Sequence, residues 1–332
     1  MPGKFLYFAA GVFACASFAQ SQTETFCFKY GDTNALNQFI DVMKIVGEMQ
    51  AAISNASGQS IAVSGTPDQL ARASWLAREL NQAPGGRPAL TRHDYAGAVP
   101  QNQEVHVYYL AHIDSPSAIK EIVNLTRSAA EVQRAAPCAA LNAIALRATP
   151  AEAEGAGWLF EPLDRPAGTM PASYQNHPGP ADSRPSTVQI YMLTNTDTPQ
   201  SVQEIIKATR SISNIQRFFP YFSRKALVLR GSSEQVAFVD WVLGLLDKPA
   251  SAGPIDTATH EYQFSDYPMD KDIIARVFYW NVSNPQQLQQ IVNDVRTSTS
   301  MQRIFPNNQV KAIAMRGTGE QIARAEEILK NQ

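Results

Sequence analysis

Trp75, Trp158 and Trp241 stand at two equal intervals of 83 residues, each in the same kind of sequence. A chain that repeats itself at such a period folds as an array of small units rather than around one large core. Upstream of the last two tryptophans lie "AIALRATPAE" from Ala143 and "ALVLRGSSEQ" from Ala226, with "IAVSGTPDQL" from Ile61 before the first. "AIAMRGTGEQ" from Ala312 marks a fourth copy, in which Glu327 takes the tryptophan position. A second set agrees: Pro116, Arg127, Gln133, Arg134 and Pro137 recur as Pro199, Arg210, Gln216, Arg217 and Pro220. They recur again, with three extra residues in the spacing, as Pro285, Arg296, Gln302, Arg303 and Pro306. The first copy is degenerate, with Thr33, Lys44, Gln50 and Ala51 at four of these places, as terminal repeats often are.

The third copy shows what one unit folds into. "VQIYML" from Val188 alternates apolar and polar residues as a strand does. Thr198 then caps a helix that opens with Pro199 and carries Val202, Ile205, Ile206 and Thr209 on one stripe. "IQRFFPYF" and "KALVLRGS" form two short β-prone runs, and Ser232 or Ser233 caps an apolar helix stopped at Pro249. The order is βαββα: an α+β chain of four tandem small modules, each a three-stranded sheet with two helices on one face. The expected modules are 24–82, 104–164, 187–249 and 274–332. Pro- and Gly-rich linkers at 83–103, 165–186 and 250–273 permit either independent modules or a fixed stack. Tyr262, Phe264 and Tyr267 suggest that the third linker docks on a neighbour or adds a strand.

Within a unit this small an indole is a large share of the core, so Trp75, Trp158 and Trp241 are expected to be packing anchors rather than ligand platforms. Glu327 points to partial burial at that position. The pairs Gln133–Arg134, Gln216–Arg217 and Gln302–Arg303 have two readings: a solvated strand edge that discourages aggregation, or an interface between modules or with a partner.

Lys4, an apolar run from Phe5 to Phe18 and small residues at Ser17 and Ala19 make residues 1–19 a signal peptide cleaved after Ala19. The run is short for a membrane span, and a lipidated Cys15 is the lesser alternative. The expected location is the periplasm or extracytoplasmic envelope. With 28 Lys and Arg against 30 Asp and Glu there is no basic footprint for nucleic acid. Cys27 and Cys138 are too few for a disulfide framework, and whether they pair stays open.

The strand, the helix opening at "TP" or "SP", the closing "ALVLRGS" and the helix ending in "LLDKP" together resemble the N-terminal ring-building domains of bacterial secretins, the NolW-like domains. "IYMLTNTDTPQSVQEIIKATRSI" and "KALVLRGSSEQVAFVDWVLGLLDKP" in the third copy carry the resemblance best. The resemblance implies KH-like βαββα modules in the periplasm that pack side by side into rings and contact secretion or type IV pilus components at the cell outer membrane. The secretin channel itself is not expected here. An Asn common in the family before the apolar strand is Asn142 in the second copy but Lys225 and Lys311 in the third and fourth.

Chemistry-bearing motifs are missing: the chain has no phosphate loop, no G-x-S-x-G elbow and no H-E-x-x-H. None of the five histidines recurs at the repeat interval, and His106 and His112 with Asp114 read as strand and turn residues rather than metal ligands. No GXXG loop supports RNA binding. The expectation is a non-catalytic scaffold with no cofactor, metal or small-molecule substrate. Its partners would be proteins, by self-association or in a secretion or pilus assembly. Membrane contact would come only through a partner or Cys15. The alternative is a protein, possibly an enzyme, that binds a small molecule or cell-wall polymer in a groove between modules. Glu204, Glu234 and Glu320 are its tempting carboxylates.

Overall fold

The computed structural model describes residues 21–29, 32–55, 59–83, 87–113, 115–166, 172–176, 186–250, 256–264 and 273–330. The expected cleavage site at Ala19, Cys15, Asp114 and Tyr267 lie outside them.

The first module runs β1 (Gln22–Cys27), α1 (Thr33–Ile45), β2 (Ala51–Ser54), β3 (Ser60–Gly65) and α2 (Pro67–Leu80), with strand order β1-β3-β2. In the second, β4 (Thr91–Asp94) precedes β5 (Glu104–Tyr109), α3 (Pro116–Ala129), β6 (Arg134–Cys138), β7 (Ala143–Ala148) and α4 (Pro150–Leu163). The third has β8 (Ala172–Asn176), β9 (Ser186–Met192), α5 (Pro199–Ser213), β10 (Arg217–Tyr221), β11 (Ala226–Gly231) and α6 (Ser233–Leu246). The fourth has β12 (His260–Gln263), β13 (Ile273–Tyr279), α7 (Pro285–Thr299), β14 (Arg303–Asn307), β15 (Ala312–Thr318) and α8 (Gly319–Lys330). All pairing is antiparallel.

The three-stranded sheet expected of every module holds for the first alone. In the other three each linker supplies an edge strand, giving the orders β4-β5-β7-β6, β8-β9-β11-β10 and β12-β13-β15-β14. The reason is physical: a strand edge left bare exposes unpaired N–H and C=O groups, and a long linker that must cross it can satisfy them.

Local chemistry repeats faithfully. Asp32, Ser115, Thr198 and Asn284 cap the first helix of their modules by accepting the N–H three residues on. Thr66 with Gln69, Thr149 with Glu152, Ser232 with Gln235 and Thr318 with Gln321 form reciprocal capping boxes at the second. At the end of the second helix Asp164 accepts the N–H groups of Ala111 and His112, and Asp247 those of Thr194 and Asn195, tying each helix to the loop after the first long strand. Asn81 does the same for Lys29. Asn142, Lys225 and Lys311 all sit in the left-handed region (φ 49°, 50° and 52°) at the hairpin turn. Asn is at ease there, and Lys adopts it at a cost.

The modules stack. Alternate residues of β5 point to opposite sides: Tyr108 packs with α3 and α4, whereas Val105, Val107 and Tyr109 join the core of α1 and α2 in the preceding module. The same division recurs one module on. Val188 and Ile190 enter the core of α3 and α4, while Tyr191 lies with α5 and α6. Ala275, Val277, Ala312 and Ala314 then close the core of α5 and α6, and Ile313 and Met315 pack with α7 and α8. Each helical layer of the first three modules is therefore sandwiched between its own sheet and the next. The second sheet face that a two-layer module would leave open is covered by the previous module's helices, which stabilises the stack by roughly 1.5–3 kcal/mol per large apolar side chain buried.

The two outer faces differ from every inner one. On the first sheet the positions of Val105, Val107 and Tyr109 are held by exposed Thr23, Thr25 and Cys27, paired with Ser64, Ala62 and Ser60. On the last helical layer, positions buried in the earlier modules as Leu125 and Ala208, and as Ala129 and Ile212, become half-buried Asp294 and exposed Ser298. Polar outer faces of this kind are what keep a stacked repeat soluble at its ends.

Candidate functional site: the module junctions

The residues that recur most faithfully meet at the boundaries between modules. The first helix of each module is followed by a residue in the left-handed region: Glu48, Glu131, Asn214 and Ser300, with φ of 59°, 62°, 59° and 56°. In the next module the two hairpin strands bring two arginines directly opposite each other: Arg134 with Arg147, Arg217 with Arg230, and Arg303 with Arg316. Like charges facing across a ladder repel, so such a pair needs an anion between its members. Glu48 supplies it at the first junction, pairing with both Arg134 and Arg147. At the second, Glu131 pairs with Arg217, and with Arg230 at 2.7 Å. Arg230 also donates to the Ala129 carbonyl at 2.8 Å and to Ser186 Oγ at 3.0 Å. At the third the acceptor position is Asn214. There Arg316 donates to the Ile212 carbonyl at 2.7 Å and stacks 4.3 Å from the Phe264 ring centre.

The distribution follows position in the stack. The first module has no preceding helical layer among the described residues, and it carries Ala51 and Ser64 where its successors carry the two arginines. Gln133, Gln216 and Gln302 have exposed side chains; Gln133 Nε2 turns back to the Arg127 carbonyl of its own module at 3.2 Å.

A second recurrent contact lies on the first helix. Gln38 Oε1 accepts the N–H of Ala139 at 2.6 Å, Glu121 accepts that of Ser223 at 3.3 Å, and Glu204 accepts that of Asn308 at 2.9 Å, each in the following module. Glu204, singled out as a chemical candidate, is thus engaged at the third junction. It borders a polar cleft of about 630 Å³ with Thr194, Asn195, Asn308 and Gln309. Glu234 and Glu320 sit in the first turns of α6 and α8, where a carboxylate complements the helix dipole.

The tryptophans are half-buried. Trp75 packs 5.5 Å from Tyr95, just after the linker strand β4, and Trp241 packs 5.6 Å from Tyr262 on β12. Tyr174 holds the corresponding register on β8, opposite Val188. Each indole therefore lies where the linker leaves one module and pairs with the next. Glu327, at the same position of α8, is exposed.

Among the described residues no group of three or more His, Cys, Asp or Glu is placed to hold a metal ion. His106 is buried, with Nδ1 2.7 Å from Asp94 and Nε2 3.0 Å from Glu104. His93 lies 2.8 Å from Glu79, which also accepts from the Tyr109 hydroxyl at 2.7 Å. These contacts pin β4 to the modules on either side. Of the three cysteines, the two among the described residues are free: Cys27 is exposed, and burial pushes the Cys138 thiol up to about 12. No helix among the described residues is long and apolar enough to cross a membrane.

Fold and junctions define a layered array of tandem α+β modules. No protein-family model and no curated protein matches the chain. Among solved structures it is similar to Aeromonas hydrophila ExeD, at 11% identity and a TM-score of 0.17 over 69% of this chain and 41% of that one. It is similar to the ETEC pilotin–secretin AspS–GspD complex at 12% identity and 0.16, over 93% and 54%, and to aspartate kinase from Synechocystis at 10% and 0.18, over 94% and 54%. The chain spans about half the length of these structures, and at such TM-scores none of them bears on what it does.

Sequence reasoning missed the carboxylate half of the junction. Glu48 and Glu131 are one period apart, and Arg147, Arg230 and Arg316 stand inside the repeated motif, so the periodic signal was present. Nothing in the spacing says that the two sets come from different modules, because that is decided by stacking.

Proposed function

We propose that this chain is a non-catalytic scaffold of the cell envelope, a preassembled stack that holds protein partners on its exposed outer surface in a secretion or pilus assembly. The observation that carries the reading is that the polar residues recurring from copy to copy meet at the junctions instead of converging on a cleft. The arginine pairs, Glu48, Glu131, Glu121 and Glu204 join one module to the next. One edge of the second, third and fourth sheets is a poor docking site, because Pro137, Pro220 and Pro306 each remove a backbone donor from the outer strands β6, β10 and β14. Among the described residues the exposed large apolar side chains are Ile53, on the outer face of the first sheet opposite Ala62, and Phe222, in the hairpin turn of the third module. The reading of residues 1–19 as an export signal and the resemblance to secretin ring modules support a periplasmic location.

Photo-crosslinking from positions 53 and 222 of the exported chain tests this, with light scattering on the purified protein. Discrete adducts with envelope proteins or with a second copy are expected. A strict monomer with no adduct from either position refutes the scaffold. The cleft beside Glu204 favours one second reading, capture of a polar cell-wall glycan between the third and fourth modules. Binding of soluble cell-wall fragments that is abolished by Glu204→Gln would establish it instead.

A further inference from the structure

The first junction differs from the others in charge. Its carboxylate, Glu48, faces three guanidiniums: Arg134 and Arg147 of the second module, and Arg72 of α2, whose Nη2 lies 3.9 Å away. The position of Arg72 is Gly155 in the second module and Phe238 in the third. The Arg72 and Arg147 side chains are each 1% exposed. Arg72 Nε donates to the Gly47 carbonyl at 3.1 Å, but its Nη1 has no hydrogen-bond partner, and neither does Nε of Arg147. Burial first, and the charge of Arg147 second, hold the Arg72 guanidinium below its ordinary value, with Tyr95 and Asp68 opposing.

Buried guanidinium donors without an acceptor are costly, and three cations against Glu48 and the more distant Asp68 leave a positive surplus that an anion would neutralise. The cluster is open on one side, where Arg134 is 39% and Glu48 32% exposed. We propose that this junction is a binding site for a free tetrahedral oxyanion of the phosphate or sulfate type. The anion enters past Arg134 and is held by Arg72 Nη1 and the Arg147 guanidinium, which Glu48 shares. Bidentate guanidinium forks suit such an anion in geometry as well as charge. The site exists only where the two modules meet, so the ligand couples to stacking: whatever binds the stacked form alone stabilises it.

Isothermal titration of the full chain with inorganic phosphate, and its melting temperature in phosphate against chloride at matched ionic strength, provide the test. Saturable binding and a phosphate-specific rise in melting temperature are expected. Both should be lost in Arg72→Gln and kept in Arg324→Gln, the exposed residue at the same repeat position in the fourth module. Arg134→Gln, which removes one cation at the half-exposed mouth, should bind about tenfold more weakly, because that charge draws the anion in and faces it once bound. Absence of binding in the parent chain, or binding undiminished in both Arg72→Gln and Arg134→Gln, overturns the proposal. If Arg72→Gln does not fold by circular dichroism, the Arg134→Gln arm decides.

Discussion

Replacing Glu131 by Gln is the sharpest probe of the junctions, because it removes one charge while keeping size and a carbonyl acceptor. The Arg230 side chain it faces is 5% exposed and 2.7 Å away, while Arg217, its other partner, is nearly half exposed. Two unit charges about 4 Å apart at an effective dielectric of 20 attract by roughly 4 kcal/mol. A third of Glu131 is exposed, and Arg230 keeps its bonds to Ala129 and Ser186, so much of that is screened or compensated. The expected loss is about 2 kcal/mol, most of it the cost of leaving Arg230 buried without its counter-ion. Glu131→Ala should cost about 3 kcal/mol, because the orphaned guanidinium then loses its acceptor as well. Stacked repeats unfold by units, so the readout is hydrogen exchange in α3, β10 and β11 beside urea denaturation followed by far-ultraviolet circular dichroism. Protection should fall across the second junction and hold in α7 and α8. The double substitution Glu131→Gln with Arg230→Met should recover most of the loss, since an apolar replacement of a buried pair is close to neutral. A cost no larger than that of Glu154→Gln, an exposed helix position, would refute the junction as the joint of the stack.

Other outcomes follow from the same geometry. Asn214→Glu places the missing carboxylate between Arg303 and Arg316 and should raise the stability of the fourth module by about 1 kcal/mol, read as slower exchange in β14 and β15. Trp241→Ala should cost about 2–3 kcal/mol, less than a fully buried indole, and should release β12 in exchange more than it loosens β11. Equal loosening of both strands would mean that the indole serves its own core alone. In the chain without residues 1–19, a thiol reagent at pH 8 should modify Cys27 and spare Cys138, whose thiol burial has pushed up to about 12; in denaturant both should react. Acid should loosen the linker strands first. The carboxyl of Asp94 lies below its ordinary range, burial opposing but the hydrogen bond and charge of His106 and the charge of Arg92 prevailing; Glu261 is lowered by hydrogen bonds from Gln263 and Arg276. A depressed carboxyl contributes its stability above the unfolded value of about 4 and loses it as pH falls through the folded one, so protection of β4 and β12 should drop on acidification below about pH 4.

Much of this molecule was legible in the chain because local rules act within one module. The caps Thr198 and Ser232, the stop at Pro249, the strand of Val188 and the helix stripes through Val202 and Ile206 each depend on neighbours a few residues away. The linker strands were harder. β4 and β8 lie in Pro- and Gly-rich surroundings with little alternation, and they become strands because an edge is waiting for them. The candidate site was half legible: Arg134, Arg217 and Arg303 stood out by period. Their acceptors did not, since a glutamate after a helix has no marking until its left-handed backbone aims it at the next module.

The sequence by itself determined the number of modules, their βαββα order and the residues that recur, because periodicity, capping and strand alternation are written in short stretches. It also marked the two terminal copies as different, through Ala51, Ser64 and Glu327. Only the tertiary structure decided how the repeats are arranged. The choice between independent beads and a stack depends on whether the second face of each sheet, with Val105, Val107 and Tyr109, finds the helices of the module before it. That contact joins residues of two modules across a long linker, and no pattern within one copy encodes it. Stacking set Trp75 and Trp241 against the linker strands as well as their own cores, and brought the arginine pairs from a strand edge to the boundary between modules.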